Sequence, residues 1–194
     1  MADGLRERKK ARTRDDLRRC ARELFRTQGY EATTVAQIAA FAEVSEPTFF
    51  RYFPSKVDVA LAPLADAMAV TIDTVVARPP DEAPLTACTA VAVQARDAGF
   101  VPVAGAADEL RALRTTAALS AAVVTLFDQA TDRLTDDFAR RLGVEATDVV
   151  ARQTAAAVMA TMLAVFRTWA DDPQRVDPAA AAIEGFERLR RGLR

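Results

Sequence analysis

The sequence predicts an all-α protein in which a small N-terminal three-helix unit is followed by a larger helical domain. Apolar residues recur at the three- and four-residue spacing of helices through most of the 194 residues. No alternating run of β-branched residues bounded by turn residues is found in the sequence. Capping residues, glycines and prolines divide the chain into segments of helical length.

The first predicted helix spans residues 14–28. Thr13 is expected to cap its start, and Gly29 stands where a left-handed residue ends many helices. The basic stretch 6–12 before this helix is expected to be a mobile arm. The apolar stripe that predicts the helix consists of Leu17, Cys20, Ala21, Leu24 and Phe25.

Two short helices follow the first one. Thr34 and Gln37 form a capping-box pair at the start of the second helix. Residues 42–44 make a tight connection, after which Ser45 is expected to cap the third helix. Pro47 falls in the first turn of that helix, where its missing N–H costs little.

Longer helices are predicted for the rest of the chain. The third helix ends before Pro54, and Ser55, with Asp58 three residues later, caps a fourth. We therefore expect an N-terminal domain of residues 1–54 and a C-terminal domain of residues 55–194. The further helices are predicted near residues 55–76, 85–97, 108–116, 119–142, 147–169 and 177–191, with irregular chain around 78–84 and 99–105.

Charge is distributed unevenly between the two parts. Residues 1–56 carry a net charge of +4, and residues 57–194 carry a net charge of −5. A basic head on an acidic body indicates that the head is the part that meets a polyanion. The alternative is an uneven spread of surface charge without functional meaning.

The composition disfavours several other functions. The absence of histidine removes the commonest general base and the usual ligand of many zinc sites. Cys20 and Cys88 lack the spacing of a disulfide framework or metal site. No apolar run approaches the roughly 18 residues needed to cross a bilayer, and the arginine-rich N-terminus is unlike a secretory signal. We expect a cytoplasmic, non-enzymatic protein without a cofactor and without membrane contact.

The three short helices have the layout of a helix-turn-helix, in which the third helix enters the major groove of DNA. The N-terminus of the second helix, at Thr34, then faces a phosphate. Phe49 and Phe53 are four residues apart on the third helix and are expected to pack inward with Ile38 and Val44.

The remaining side chains of the third helix are then free to face DNA. Phe50 or the Thr48 methyl could contact a thymine methyl, and Glu46 could accept a hydrogen bond from a cytosine amino group. The hydroxyls of Thr48 and Tyr52 and the ammonium of Lys56 could contact phosphates. The alternative is that Phe50 and Tyr52 pack on a neighbouring helix.

A motif within residues 12–61 carries a family resemblance. It consists of Gly29-Tyr30-x-x-Thr33-Thr34-Val35-x-x-Ile38-Ala39 and Val44-Ser45-x-x-Thr48-Phe49-Phe50-Arg51-Tyr52-Phe53-Pro54-Ser55-Lys56. This pattern closely resembles the tetracycline-repressor (TetR) family of regulators, most specifically in its last part. The resemblance implies an all-helical homodimer whose first three helices bind double-stranded DNA at a palindromic operator.

The resemblance also implies the DNA contacts and shows two departures from the family pattern. Glu43 stands where the family usually has glycine, so the turn must avoid a positive φ or tolerate strain. Phe41 is larger than the small residue usual at its position. The implied DNA-contacting residues are Thr33, Thr34, Ser45, Glu46, Pro47, Thr48, Phe50, Arg51, Tyr52 and Lys56.

The two C-terminal helices are candidates for a subunit interface. Residues 147–169 are rich in alanine, which lets another helix approach closely, and the last helix is amphipathic. The family places two such helices from each subunit in a four-helix interface, and a palindrome requires a two-fold partner. The alternative is that both helices complete the core of a monomer.

The larger domain is expected to bind a small hydrophobic effector that releases a repressor from DNA. The variant at residues 48–53 is similar to that of many actinobacterial members whose second domain is described as binding acyl-CoA-like ligands. An activator, or a protein acting through a protein partner, is the alternative. The candidate ligand contacts, each of which could equally be ordinary core, are Met68, Ile72, Val91, Phe127, Met159, Met162 and Phe166.

Overall fold

The computed structural model describes residues 2–99, 106–114 and 116–192. Every regular element within these ranges is an α-helix, which confirms the predicted all-α class. The helices are α1 (Ala2–Gln28), α2 (Val35–Phe41), α3 (Glu46–Tyr52), α4 (Lys56–Val76), α5 (Pro84–Asp97), α6 (Ala106–Ala112), α7 (Ala117–Leu142), α8 (Val149–Asp171) and α9 (Pro178–Arg190).

The prediction that the first helix begins after residues 6–12 is wrong, because α1 continues through them. The hydroxyl of Thr13 donates to the carbonyl oxygen of Lys9 at 3.0 Å, so Thr13 is an interior helical residue and not a cap. Residues 6–12 are mostly arginine, lysine, glutamate and alanine, which favour helix, and no proline interrupts them. Gly29 ends the helix at a φ of +86°, as expected.

The described chain divides into two compact units, Met1–Leu64 and Ala65–Arg194. In the first unit, side chains from α1, α2, α3 and the start of α4 form one core. Phe49 and Phe53 lie in it beside Ile38, with Val44 packed at its edge, which confirms the predicted inward face of α3. The buried members of this core are Leu17, Ala21, Ile38, Ala39, Phe49, Phe53, Val59 and Ala62.

The second unit is built around the long helices α7 and α8. Helix α8 packs against α6, α7 and α9, and α5 packs against α9 and α7. Thr116 caps α7, and Gly143 ends it in the left-handed conformation at a φ of +67°. Asp148 and Asp177 cap α8 and α9 with their carboxylates. Most of the predicted irregular stretch 99–105 lies outside the described residues.

The expectation that no segment suits a membrane was too strong. Helix α8 and the stretch Glu46–Val76 are long and apolar enough, by length and composition, to cross a bilayer. The second of these is not one continuous helix, because α3 ends at Tyr52 and α4 begins at Lys56. Helix α8 contacts α6, α7 and α9, but only 28% of its apolar window is buried.

Candidate nucleic-acid interface

The N-terminus of α2 carries the predicted capping box. The backbone N–H of Gln37 donates to the hydroxyl oxygen of Thr34 at 3.2 Å, and the N–H of Thr34 donates to the side-chain oxygen of Gln37 at 2.8 Å. The reciprocal pair fixes where α2 begins. Thr34 is exposed, so its end of the helix is accessible to an anion.

The turn between α2 and α3 does not avoid a positive φ at Glu43 and so carries the backbone strain that was the other possibility. Glu43 has a φ of +54°, and it is the only non-glycine residue with positive φ among the described residues. The N–H of Val44 donates to the carbonyl oxygen of Ala39 at 2.9 Å, which closes the turn around Glu43. Glycine adopts this conformation without the steric cost that a Cβ brings.

Ser45 starts α3 as predicted. Its hydroxyl accepts a hydrogen bond from the N–H of Thr48 at 3.3 Å and lies 3.0 Å from the Thr48 hydroxyl. Pro47 lies in the first turn. These contacts fix the start of a seven-residue helix that would be too short to be stable alone.

The two faces of α3 differ sharply in exposure. Phe49 is fully buried, whereas Phe50, the next residue, is 50% exposed and meets the Phe49 ring edge-on with 5.5 Å between ring centres. Glu46 and Arg51 are exposed on the same helix. One face of α3 therefore closes the core, and the other presents an acid, an aromatic ring and a cation.

Most of the implied DNA-contacting residues lie at the surface. Tyr52 is half-buried and packs against the core of the first unit, so the alternative interpretation holds in part for this ring. The Arg51 guanidinium lies over the same ring, 5.2 Å from its centre. The exposed members of the set are Thr34, Ser45, Glu46, Pro47, Phe50 and Arg51, and the half-buried members are Thr48, Tyr52 and Lys56.

Thr33 does not belong to the accessible set. Its side chain is 1% exposed, and its hydroxyl donates to the carbonyl oxygen of Gly29 at 2.8 Å while accepting from the Gln28 amide at 3.1 Å. A hydroxyl used in this way cannot reach a phosphate. Thr33 instead fixes the connection between α1 and α2.

Lys56 also has a different role from the expected phosphate contact. Its ammonium donates to the carbonyl oxygens of Tyr30 and Thr33, both at 2.8 Å, with Glu31 at 3.5 Å. It also lies 4.2 Å from the centre of the Tyr30 ring. An ammonium has three N–H donors, and these three carbonyl oxygens accept hydrogen bonds from them. Lys56 joins the start of α4 to the α1–α2 connection.

The sequence did not reveal the residues that hold α1 against α2 and against the end of α3. The Gln28 amide donates to Thr33 and also to the side-chain oxygen of Gln37 at 3.1 Å. The Arg14 guanidinium lies 5.1 Å from the centre of the Phe53 ring. The partners of Gln28 are five and nine residues away, and Phe53 is 39 residues from Arg14, so no helical spacing signals these contacts.

The candidate ligand contacts all lie in the second unit. No group of three or more potential metal-ligating side chains occurs in the described part of the chain. Ile72, Val91, Phe127 and Met159 are buried, and Met68, Met162 and Phe166 are half-buried.

Comparison with protein families matches both parts of the chain. Residues 17–62 match the family model described as bacterial regulatory proteins of the TetR family, and residues 82–194 match the one described as the MftR C-terminal domain. The regulator TcmR of Streptomyces glaucescens is 41% identical over 151 residues, which cover 75% of this chain and 67% of TcmR.

Solved structures of similar fold come from several bacteria. FadR of Thermus thermophilus, a repressor solved with lauroyl-CoA, is 23% identical, with 93% of this chain and 95% of FadR covered and a TM-score of 0.59. NalD of Pseudomonas aeruginosa is 20% identical, with coverages of 95% and 97% and a TM-score of 0.62. SmeT of Stenotrophomonas maltophilia, solved with triclosan, is 19% identical, with coverages of 91% and 90% and a TM-score of 0.63.

A helix-turn-helix head with an exposed reading helix, joined to a helical body, defines a class of DNA-binding transcription regulators. Within that class, this chain belongs to the TetR family. Regulators of the family bind DNA and small-molecule effectors as dimers.

Proposed function

We propose that this protein is a homodimeric, cytoplasmic repressor that binds a palindromic operator through α3 and releases it when a small hydrophobic effector binds the helical body. Residues 1–54 carry the DNA-binding function, and residues 55–194 carry dimerisation and effector binding. The observation that supports the proposal best is Phe50, a half-exposed ring on a helix whose other phenylalanine, Phe49, is buried. A large apolar side chain kept at the surface fits contact with thymine methyl groups.

The DNA contacts divide into two kinds. Phe50 and Glu46 reach base edges, where a ring meets thymine methyls and a carboxylate accepts from a cytosine amino group. Arg51, together with the hydroxyls of Thr34 and Tyr52, contacts phosphates and so positions the head without reading sequence. Ser45, Pro47 and Thr48 form the start of α3, where the helix meets the groove.

Dimerisation through α8 and α9 is supported by what these helices leave exposed. Ala156, Ala160 and Ala164 lie on α8 at helical spacing and are exposed, so another helix can approach closely there. On α9, Glu184 and Arg188 are exposed and paired with each other. A two-fold dimer brings two reading helices to the two halves of a palindrome.

The effector site belongs in the second unit, among the seven candidate contacts already named. Their apolar and thioether side chains suit a hydrophobic molecule. The structures of FadR with lauroyl-CoA and of SmeT with triclosan support the choice of these two molecules as the first probes. Helix α4 runs from the first unit into the second, so it is the element through which effector binding changes DNA affinity.

Binding to the DNA upstream of the protein's own gene, followed by fluorescence anisotropy over a salt series, tests the proposal. We expect binding that depends on a palindrome and resists random competitor DNA. Phe50→Ala and Arg51→Ala should weaken it at least tenfold. Arg96→Ala, which removes an exposed arginine of the second unit, is the charge-matched control for the second variant.

The outcomes separate the proposed function from its alternatives. Binding that has no sequence preference and disappears as salt rises would mean that the head holds phosphates only. An activator would keep operator binding, or gain it, when lauroyl-CoA or triclosan is added. A protein that acts through a protein partner would keep its function in both α3 variants.

A further inference from the structure

Helix α7 buries an arginine whose hydrogen bonds are complete. The side chain of Arg141 is 1% exposed, and a guanidinium carries five N–H donors. Nε donates to one carboxylate oxygen, and the two terminal nitrogens donate to four backbone carbonyl oxygens. The acceptors are Asp137 Oδ2 at 2.5 Å, Pro79 O at 2.6 Å, Val75 O at 2.9 Å, and Arg78 O and Glu82 O at 3.3 Å.

These four carbonyls belong to one short stretch of chain. Val75 lies in the last turn of α4, and the other three residues lie in the connection that leads to α5. The Val75 and Pro79 carbonyls also accept from the backbone N–H groups of Arg78 and Glu82, each at 3.2 Å, and carbonyls at the C-terminal end of a helix attract a cation. One side chain on α7 therefore holds the end of α4 and the connection that follows it.

The number of acceptors around Arg141, together with the neighbouring charges, makes this arrangement specific to arginine. Asp137 is 4% exposed, and its second oxygen accepts from Arg140 at 2.9 Å, so each oxygen of the buried carboxylate is paired with an arginine. Arg78 and Glu82 form a two-point ion pair across the same connection. Lysine in place of Arg141 would keep the charge opposite Asp137 but would offer three donors to five acceptors.

Helix α4 is interrupted at Pro63, just after a start that packs in the core of the first unit through Val59 and Ala62. Pro63 lies inside the helix and has no N–H to donate to the carbonyl of Val59, so one hydrogen bond of the helix is missing there. At its other end, α4 is held by the Arg141 hydrogen bond to the Val75 carbonyl, and three more Arg141 bonds hold the connection that follows. Both ends of α4 are therefore held, and the compliant part lies near Pro63.

We propose that Arg141 is a positioning residue that fixes the C-terminal end of α4 to α7, so that α4 bends near Pro63, and not at its C-terminal end, in the effector response. This inference rests on the proposed function. Without the anchor, the end of α4 and the connection after it would sample many positions. Binding a palindrome would then require ordering them, which lowers operator affinity.

Hydrogen exchange of the full-length protein, measured by mass spectrometry without DNA or effector, tests the anchor directly. We expect Arg141→Lys to raise exchange about tenfold or more in peptides covering residues 72–82 and to leave residues 120–135 of α7 unchanged. Arg133→Lys is the matched control. It changes another α7 arginine that reaches α4, through one exposed ion pair with Asp73, and should change little.

Operator affinity tests the second part of the proposal, which is that the Arg141 contact supports DNA binding. Arg141→Lys should weaken operator binding about tenfold with an unchanged salt slope, because no phosphate contact is removed. Unchanged hydrogen exchange in residues 72–82 of Arg141→Lys would overturn the proposal that Arg141 fixes the end of α4. Increased exchange with unchanged operator affinity would overturn the positioning role. If the wild-type protein binds no specific DNA, the proposed function fails, while the exchange experiment still decides whether Arg141 anchors α4.

Discussion

The ammonium of Lys56 lies 4.2 Å from the centre of the Tyr30 ring and donates to the carbonyl oxygen of the same residue at 2.8 Å. One residue at the start of α4 thus holds the connection between α1 and α2 through both the ring and the backbone of Tyr30. The adjacent Thr33 carbonyl accepts from the same ammonium, directly before the capped start of α2 at Thr34. The position of the α2 N-terminus therefore depends on a side chain from α4.

Replacing Lys56 with methionine separates this role from a phosphate contact. We expect the free energy of unfolding to fall by about 1 to 2 kcal/mol, because charge-assisted hydrogen bonds and a cation–π contact are lost. Operator affinity should fall with an unchanged salt slope. Arg51→Met is the comparison, since loss of a true phosphate contact lowers the slope by about 1. A lower slope with unchanged stability in Lys56→Met would show that Lys56 binds phosphate after all.

Replacing Glu43 with glycine should stabilise the first unit. A side chain at positive φ costs about 1 to 2 kcal/mol, and the greater flexibility of glycine in the unfolded chain offsets about half of this. We expect a gain of about 0.5 to 1 kcal/mol, or a melting temperature raised by roughly 1 to 4 °C. Glu46→Gly, three residues later inside α3, should instead destabilise. A loss of stability in Glu43→Gly would contradict the inference that the positive φ of Glu43 is strained.

The crossing of α8 and α9 depends on Gly185. A Cβ at this position would lie 2.5 Å from the Cγ2 methyl of Thr161, too close for two carbon atoms. We expect Gly185→Ala to destabilise by about 1 to 3 kcal/mol through overpacking. Thermal or denaturant unfolding measures the change.

The matched background for this experiment is Thr161→Ser, which removes only the clashing methyl and keeps the hydroxyl that donates to Ala157. In that background, Gly185→Ala should stabilise by up to about 1 kcal/mol, because alanine favours helix over glycine. The sign of the effect therefore reverses between the two backgrounds. The same sign in both would show that the helices do not meet at this point.

Neither cysteine should react with a thiol reagent while the protein is folded. Burial raises the pKa of Cys88 to about 12 and raises that of Cys20 above its ordinary value. Because only the thiolate reacts, about one Cys88 in ten thousand is reactive at pH 8. Both thiols should react once the protein is denatured. The variant Ala98→Cys, which has an exposed thiol, should react at once. Equally fast reaction of the folded wild-type protein would contradict the burial of Cys20 and Cys88.

Local signals in the sequence were sufficient for much of the DNA-binding head. The Thr34–Gln37 capping box, the Ser45 cap and the i, i+4 pair Phe49–Phe53 each involve residues three or four positions apart. Interactions at that range are dictated by helical geometry, so spacing alone predicts them. The same reasoning placed Gly143 at the end of α7.

The sequence alone did not assign the roles of Thr33 and Lys56, nor the contacts of Arg141. Lys56 meets carbonyls 23 and 26 residues away, and Arg141 meets carbonyls 59 to 66 residues away. A basic or hydroxyl side chain in a motif has the composition of a phosphate contact whether it faces solvent or the interior. Only the packing of separate helices decides which carbonyl oxygens come within reach, because backbone acceptors look alike in sequence and differ only in where the fold places them.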